Sequence, residues 1–393
     1  MTVRHTLGIL TCQMHPPYAE HPFFRQIALQ ATACGLKTVV FSPQTWQPSQ
    51  PWIRAYTWSE EQKKWKAIIT PLPVLVYDRC FFLSSAHYRS VAPYLKQLQR
   101  HPKVQFLGHG LAGKWEVYTI LSRYPDIRPH LPETDRVYVS QDVLAHLARI
   151  GDVVIKPLGG SLGRKVIRIT KGSANTVHLS GRDGYNRPFS ATIPASQLDL
   201  WLRKQLPTAR WLIQPYLELS TPDQRPFDIR VLVQKNGQGE WEIVGKAIRQ
   251  GQPGGLTANL HGGGQGIGFI PFMQRHFPDQ VERIARQIDE LSLKIPPLLE
   301  KSHGPLVELG IDIGVDRHGN VWVIEVNSKP GRSLFAWTGE KDVQMRSVQN
   351  IVHYACYLLK AKDWKVREKH RDENFRHAHH HQPTRHAMHM VTR

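Results

Sequence analysis

The chain has 393 residues, 41% of them hydrophobic, and carries 51 Lys and Arg against 32 Asp and Glu, a formal net charge of +19. That length points to two or three domains with enough apolar content to bury a core, and the positive excess favours anionic partners such as nucleotides and polyanions. The four cysteines (Cys12, Cys34, Cys80, Cys356) lack C-x-x-C spacing, and no apolar run approaches the ~18 residues of a membrane span, which points to a cytoplasmic chain with reduced thiols.

HTLGILTC (5–12) reads as a strand, Pro22–Ala33 as a helix ended at Cys34-Gly35, and Leu36–Phe41 as a second strand. WIRAYTW and WKAIIT flank a polar SEEQKK and predict a hairpin over 52–70. Pro73–Tyr77 reads as a further strand, running into Asp78-Arg79. A charged pair at the carboxyl end of a buried strand is where open α/β sheets hold ligands; a structural ion pair fits the same residues. His87–Arg100 as a helix and Val104–Leu107 as a strand complete a first domain over 1–110.

Gly113–Leu121 reads as a helix with Lys114 in its first turn, the end where the dipole disfavours a cation. Either an anion lies nearby or Lys114 is an ordinary surface lysine. DVVIKP, LGGSLGR and KVIRIT (152–170) read as strand, glycine-rich loop and return strand. Such a loop, with Gly159, Gly160, Ser161 and Gly163, can fold its N–H groups over phosphates while Lys156 reaches the same charge. It leads into a strand, so it is neither a Walker loop nor a Rossmann turn. Strands near 176–180 and 189–193 and a helix from Ala195 to Lys204 finish a small lobe.

Trp211–Leu219 reads as a strand ending in a bend at Gln214, Pro215, Tyr216 and Leu217, whose backbone can meet a purine edge. Two strands joined at Asn236-Gly237 then carry Asp228, Arg230, Lys246 and Arg249. Cations crowded on core strands are costly unless something anionic compensates. Gly255–Gly266 is a glycine-rich loop with Asn259, and Gln274–Leu299 reads as one long helix.

VELGIDIGV, a turn at DRHGN and VWVIEVN predict a hairpin across 307–327. Asp312, Glu325 and Asn327 interrupt its apolar alternation, and an unpaired carboxylate on a buried face is costly. Three oxygen donors on one hairpin suit Mg²⁺ arriving with nucleotide phosphates; a surface hairpin with its charges in water also fits. Residues 364–393 are rich in His and Arg without apolar periodicity and read as a disordered tail. Its His379–His381 tract is of a kind that binds transition metals adventitiously.

As a series, Lys114, Lys156 with its glycine loop, the Gln214–Leu217 bend, Asp228-Ile229-Arg230, KAIR, NLHGGG and Asp312…Glu325-x-Asn327 resemble the ATP-grasp enzymes. The spacing is similar to that of glutathione synthetase and the RimK-like glutamate ligases, over residues 111–363. Phe41–Pro43, Tyr77–Arg79 and GKWEVY further resemble the YheC/YheD-like, endospore coat-associated branch.

The resemblance implies an α/β (α+β) fold, with a small Rossmann-like pre-ATP-grasp domain at 1–110 and a two-lobed ATP-grasp domain at 111–363. A small lid lobe would occupy about 130–210. The implied activity is that of an ATP- and Mg²⁺-dependent carboxylate–amine ligase working through an acylphosphate, with Mn²⁺ as an alternative ion. Lys114 and Lys156 would bind phosphates, Pro215–Leu217 the adenine, and Asp228 the ribose hydroxyls. Arg249 would contact the transferred phosphoryl group, with Arg230 and Lys246 nearby. Asp312, Glu325 and Asn327 would ligate the ion, and Asn259 would border the acceptor. Pro215 departs from the family's usual acidic residue and removes one adenine contact. Implied partners are a small-molecule or peptide carboxylate, an amine and, for the coat-associated branch, spore-coat proteins. The alternative is a coat structural or assembly protein that keeps the nucleotide fold with little turnover. No nucleic-acid reading module is present in the sequence, so nucleic acid is not expected.

Overall fold

The computed structural model describes residues 5–82, 84–160, 163–258 and 263–379, and its strands form three sheets. The first contains β1 (His5–Leu10), β2 (Leu36–Phe41), β3 (Trp52–Ser59), β4 (Lys64–Pro71), β5 (Leu75–Asp78) and β6 (Gln105–Phe106), with α1 (His21–Ala33) and α2 (Ser85–Gln99) as connections. Its order is β4-β3-β2-β1-β5-β6. β2, β1, β5 and β6 run parallel, and the β3–β4 hairpin adds antiparallel to β2. The parallel strands are nearly continuous apolar runs because both faces are covered. Leu7 and Ile9 pack with Phe24 and Ile27 of α1, while Leu10, Val39 and Val76 pack with Val91, Leu95 and Leu98 of α2.

α3 (Lys114–Leu121) leads to the second sheet: β7 (Asp135–Val137), β8 (Asp152–Pro157), β9 (Ile167–Lys171), β10 (Thr176–Arg182), β11 (Pro188–Pro194) and β12 (Trp211–Pro215). It is antiparallel, in the order β11-β10-β9-β8-β12-β7. α4 (Ser140–Ile150) and α5 (Ala195–Gln205) cover one face, where Val143, Leu147, Leu198 and Leu202 meet Val153, Ile155, Ile169 and Ile213. Alternation leaves Asp152, Lys156, Arg168 and Gln214 on the other face.

The third sheet is antiparallel, in the order β15-β14-β13-β16-β17. Its strands are β13 (Phe227–Lys235), β14 (Trp241–Gln250), β15 (Gln265–Gly268), β16 (Glu308–Val315) and β17 (Val321–Asn327). The single helix expected over 274–299 is two, α6 (Phe269–His276) and α7 (Val281–His303). Pro278 has no N–H to give and disfavours helical geometry at Phe277, which sits at φ −139°, ψ 50°. α7 buries Ile284, Ile288, Leu291 and Ile295 against Ile229, Val231, Ile311 and Ile313.

α8 (Ser333–Trp337) and α9 (Lys341–His379) follow β17. α9 returns to the first sheet, where Val348, Ile351, Val352 and Ala355 join the core of Leu7 and Ile27. It also runs through the start of the expected disordered tail, as far as His379. No Gly or Pro falls between Lys341 and Gln382, so a helix begun on a packed face propagates without needing an apolar stripe. Residues 380–393, with His380 and His381, lie outside the described residues. No helix among the described residues is long and apolar enough to cross a membrane.

Candidate functional site

One wall of the cleft follows from strand parity and a single bulge. On β16, Leu309, Ile311, Ile313 and Val315 enter the core under α7, so Gly310, Asp312 and Gly314 face away from it. On β17, Val321 and Val323 enter the same core, and strict alternation would send Glu325 after them. Instead Asp312 lies opposite Glu325 while Ile313 lies opposite Val323, leaving Ile324 as an extra residue. This β-bulge reverses the parity. Val326 takes the core position, and Glu325 and Asn327 join Asp312 on the cleft face.

Asp312 is the centre of a charge cluster. Arg230 Nε donates to its Oδ1 at 2.5 Å and Nη2 to its Oδ2 at 3.1 Å. Arg249 Nη2 is 2.9 Å from Asp312 Oδ2, and the same guanidinium forks Asp228 at 2.5 and 2.8 Å. Burial pushes the Asp312 carboxyl up, but the two guanidiniums outweigh it and hold the group below its usual range. Asp228 is lifted, chiefly by burial and against the pull of Arg249. The structure therefore places Asp228 beside Arg249 in this cluster.

Asn327 Nδ2 lies 3.4 Å from Asp312 Oδ2; with the amide turned over, its carbonyl oxygen faces the same space. The donors fit a hard cation, since two carboxylates and an amide oxygen are the oxygen set Mg²⁺ takes. Among the described residues no three of His, Cys, Asp and Glu gather as a metal cluster, and this trio holds only two carboxylates.

The second sheet and α3 form the facing wall. Lys114, Lys156, Gln214, Thr134 and Glu325 line one cleft. Lys114 Nζ is 3.5 Å from Glu325 Oε1. Burial first, then the neighbouring Lys114 ammonium, pushes Lys156 down to about 8, with Glu325 pulling the other way. Gln214 spends its side-chain amide on Thr134 Oγ1 at 2.6 Å. At the bend, the Tyr216 N–H donates to the Asp152 carbonyl at 3.1 Å, whereas the Leu217 N–H meets no carbonyl among the described residues. Leu217 thus keeps a backbone donor at the bend with no carbonyl partner among the described residues.

Other expected residues fall differently. Lys246 does not join the cluster: its Nζ is 2.6 Å from Asp289 of α7 and 4.9 Å from the Phe269 ring centre. Lys246 and Arg249 are three apart on one strand, so they face opposite sides. Gly160 and Gly163 have φ of +104° and +71°, which favours glycine, and nothing lies within 4 Å of a Cβ built on Gly159 or Gly160. Ser161 and Asn259 lie outside the described residues. Asp78 and Arg79 each pair with a distant residue: Arg79 Nη1 donates to Glu308 at 2.9 Å, and Asp78 Oδ1 is 2.8 Å from Lys329 Nζ.

Sequence reading missed Arg168. Its guanidinium lies 3.5 Å over the Tyr216 ring while Asp152 takes its fork, with the shortest contact at 2.6 Å. The available signal was parity, because Asp152 and Lys156 share a face of β8 and Arg168 pairs with Val154 between them.

Residues 103–358 match the family model described as YheC/D like ATP-grasp. The chain is 32% identical over 361 residues to the endospore coat-associated protein YheC of Bacillus subtilis (strain 168), covering 91% of this chain and 95% of that protein. To the endospore coat-associated protein YheD of the same strain it is 25% identical over 297 residues, covering 75% of this chain and 65% of that protein. Among solved structures, it is similar to the RiPP-associated ATP-grasp ligase of Chryseobacterium gregarium, solved with ADP and a leader and core peptide. The TM-score there is 0.49 at 13% identity, over 90% of this chain and 97% of that one.

Proposed function

The chain belongs to the YheC/D-like ATP-grasp family, and we propose that it uses ATP to activate a carboxylate and join it to an amine. The observation that carries this reading is the cleft charge pattern. Asp312 and Asp228 are held by Arg230 and Arg249, and Glu325 by Lys114, opposite an incompletely neutralised Lys156. Each of these cations can turn from a carboxylate to a phosphate oxygen. Asp312, Glu325 and Asn327 would hold Mg²⁺, which when bound offsets phosphate charge. Lys114 and Lys156 hold the phosphates, the Leu217 N–H meets the purine, and Arg249 and Arg230 stabilise charge growing on the transferred phosphoryl group. The substrate carboxylate oxygen bonds to the γ-phosphorus as its bond to ADP breaks, giving an acylphosphate, and the amine then displaces phosphate from the acyl carbon and releases a proton. The glycines Gly159, Gly160 and Gly163 would give their loop the freedom to exclude water from the acylphosphate.

Hydroxylamine intercepts an acylphosphate as a hydroxamate. Incubation with ATP, Mg²⁺ and a pool of amino acids, glutamyl peptides and cell-wall fragments is expected to give hydroxamate, lost in Arg249→Ala more than nucleotide binding is. No hydroxamate from a pool under which ATP demonstrably binds would remove the ligase reading. The second reading is then a coat structural or assembly protein, in line with the names of the two Bacillus relatives. What favours it is that the cleft carboxylates are already neutralised by their own cations, so the cleft is stable without turnover.

A further inference from the structure

The four cysteines, scattered in sequence, stand in two contacting pairs. Cys34 at the end of α1 is hydrogen-bonded to Cys356 of α9, and the thiols of Cys12 and Cys80 are hydrogen-bonded to each other. The second pair follows from topology. β1 and β5 are parallel neighbours with Leu10 opposite Asp78, and the Arg79 N–H donates to the Leu10 carbonyl at 2.8 Å. Two residues beyond Leu10 and Asp78 stand Cys12 and Cys80, 8% and 2% exposed, in the core on the α2 side. The pairing ends at Leu10 and Asp78, where neighbouring strands lie about 4.8 Å apart, and a disulfide spans roughly 4.4–6.8 Å between Cα atoms.

We propose that Cys12 and Cys80 are an oxidisable dithiol, a modification site whose closure to a disulfide loosens the loop that follows Asn327. The hydrogen bond from Cys80 lowers the Cys12 thiol, while that bond and burial push Cys80 up, so Cys12 is the attacking sulfur and Cys80 the resolving one. With a peroxide as oxidant, the Cys12 sulfur attacks one oxygen, the O–O bond breaks, and the other oxygen leaves as water with the thiol proton. The Cys80 sulfur then attacks the sulfenic sulfur, the S–S bond forms, and the S–O bond breaks to release a second water. Two thiols are oxidised and one hydrogen peroxide is reduced to two waters.

The loop is anchored to this pair. Lys329 Nζ donates to the Cys80 carbonyl at 2.9 Å and lies 2.8 Å from Asp78 Oδ1, which also accepts from the Cys80 N–H at 2.8 Å. An S–S bond of about 2.05 Å draws the two thiols together inside a packed core, which resists movement of the side chains alone. Closing it therefore shifts the Cys80 main chain that holds Lys329, two residues past Asn327.

The test treats the full chain carrying Cys34→Ser and Cys356→Ser with hydrogen peroxide, then maps peptides without reductant and follows amide exchange over 328–332. A linked Cys12–Cys80 peptide with a mass loss of about 2 Da, reversed by dithiothreitol, is expected, with faster exchange over 328–332 in the oxidised form. Adding Cys80→Ser should abolish both changes. The unsubstituted chain reads the same link should the double variant fail to fold. Links between chains, sulfinic acid on Cys12 in place of the link, or two thiols still free to alkylate would overturn the dithiol. A linked peptide with unchanged exchange overturns the coupling to the loop.

Discussion

At the scale of single residues, Lys156 gives the sharpest solution signature. Its folded value of about 8 lies below the unfolded lysine value of about 10.4. Between those two values the folded chain has released a proton that the unfolded chain keeps, so this group adds stability as pH rises through that window and withdraws it as pH falls. A triphosphate beside Lys156 favours the charged form. Nucleotide binding at about pH 8.5 is therefore expected to take up protons, measured by calorimetry in buffers of different ionisation enthalpy, and Lys156→Met should remove the uptake. Binding without proton uptake in the unsubstituted chain would place the phosphates away from Lys156. Glu325→Gln keeps the shape of the cleft but removes a charge facing Lys114 and, on the proposed reading, the cation. ATP-dependent turnover should fall by about 10²–10³, with circular dichroism unchanged; full activity would exclude Glu325 from the site.

At the scale of elements, β16 shows how a strand keeps a carboxylate working inside a packed sheet. Gly310 and Gly314 flank Asp312 on the cleft face, so nothing on the strand itself crowds the carboxylate. A Cβ on Gly310 would lie 2.8 Å from Pro330 Cβ and 3.3 Å from Arg230 Nη1. Gly310→Ala is thus expected to push Arg230 and the 328–332 loop, costing about 1–3 kcal/mol in denaturant unfolding and more activity than a distant core substitution of equal cost. Asp312, Glu325 and Asn327 were legible because the turn at Asp316–Asn320 sets the hairpin, yet the bulge at Ile324 that brings them together was not. A one-residue insertion leaves the composition of a strand unchanged. Lys246 was misplaced because counting cations ignored the parity that separates it from Arg249. The pairing of Asp228 with Arg249 needed the register of β13 against β14, which sequence alone does not supply.

At the scale of the molecule, the segments that close the fold are far apart in sequence. α9 buries Val348 through Leu359 against the first sheet, so deleting 364–393 should leave the melting temperature and nucleotide binding unchanged; a large loss would show that this stretch packs on the body. The second closure is ionic. Arg79, with its side chain 0% exposed, forks Glu20 at 2.8 and 2.5 Å and reaches Glu308 at 2.9 Å, while Tyr77, Gln234 and Arg332 also hold Glu308. Asp78-Arg79 was visible as a charged pair at a strand end, but a partner 229 residues away was not. Removing one side of a buried pair strands the other, so Arg79→Met should cost about 3–5 kcal/mol by urea unfolding at neutral pH. Burial pushes Glu308 up, and Arg332 with Arg79 more than reverses this, holding it below its usual range. A depressed carboxyl contributes stability that is present above the unfolded value of about 4.3 and is lost as pH falls through the folded value. With Arg79 gone, Glu308 takes up its proton sooner. The acid-unfolding midpoint of Arg79→Met should accordingly move to higher pH, and Glu308→Gln added to it should lower the remaining pH dependence. An unchanged acid midpoint would mean that Arg332 alone holds Glu308, leaving Arg79 to serve the Glu20 contact.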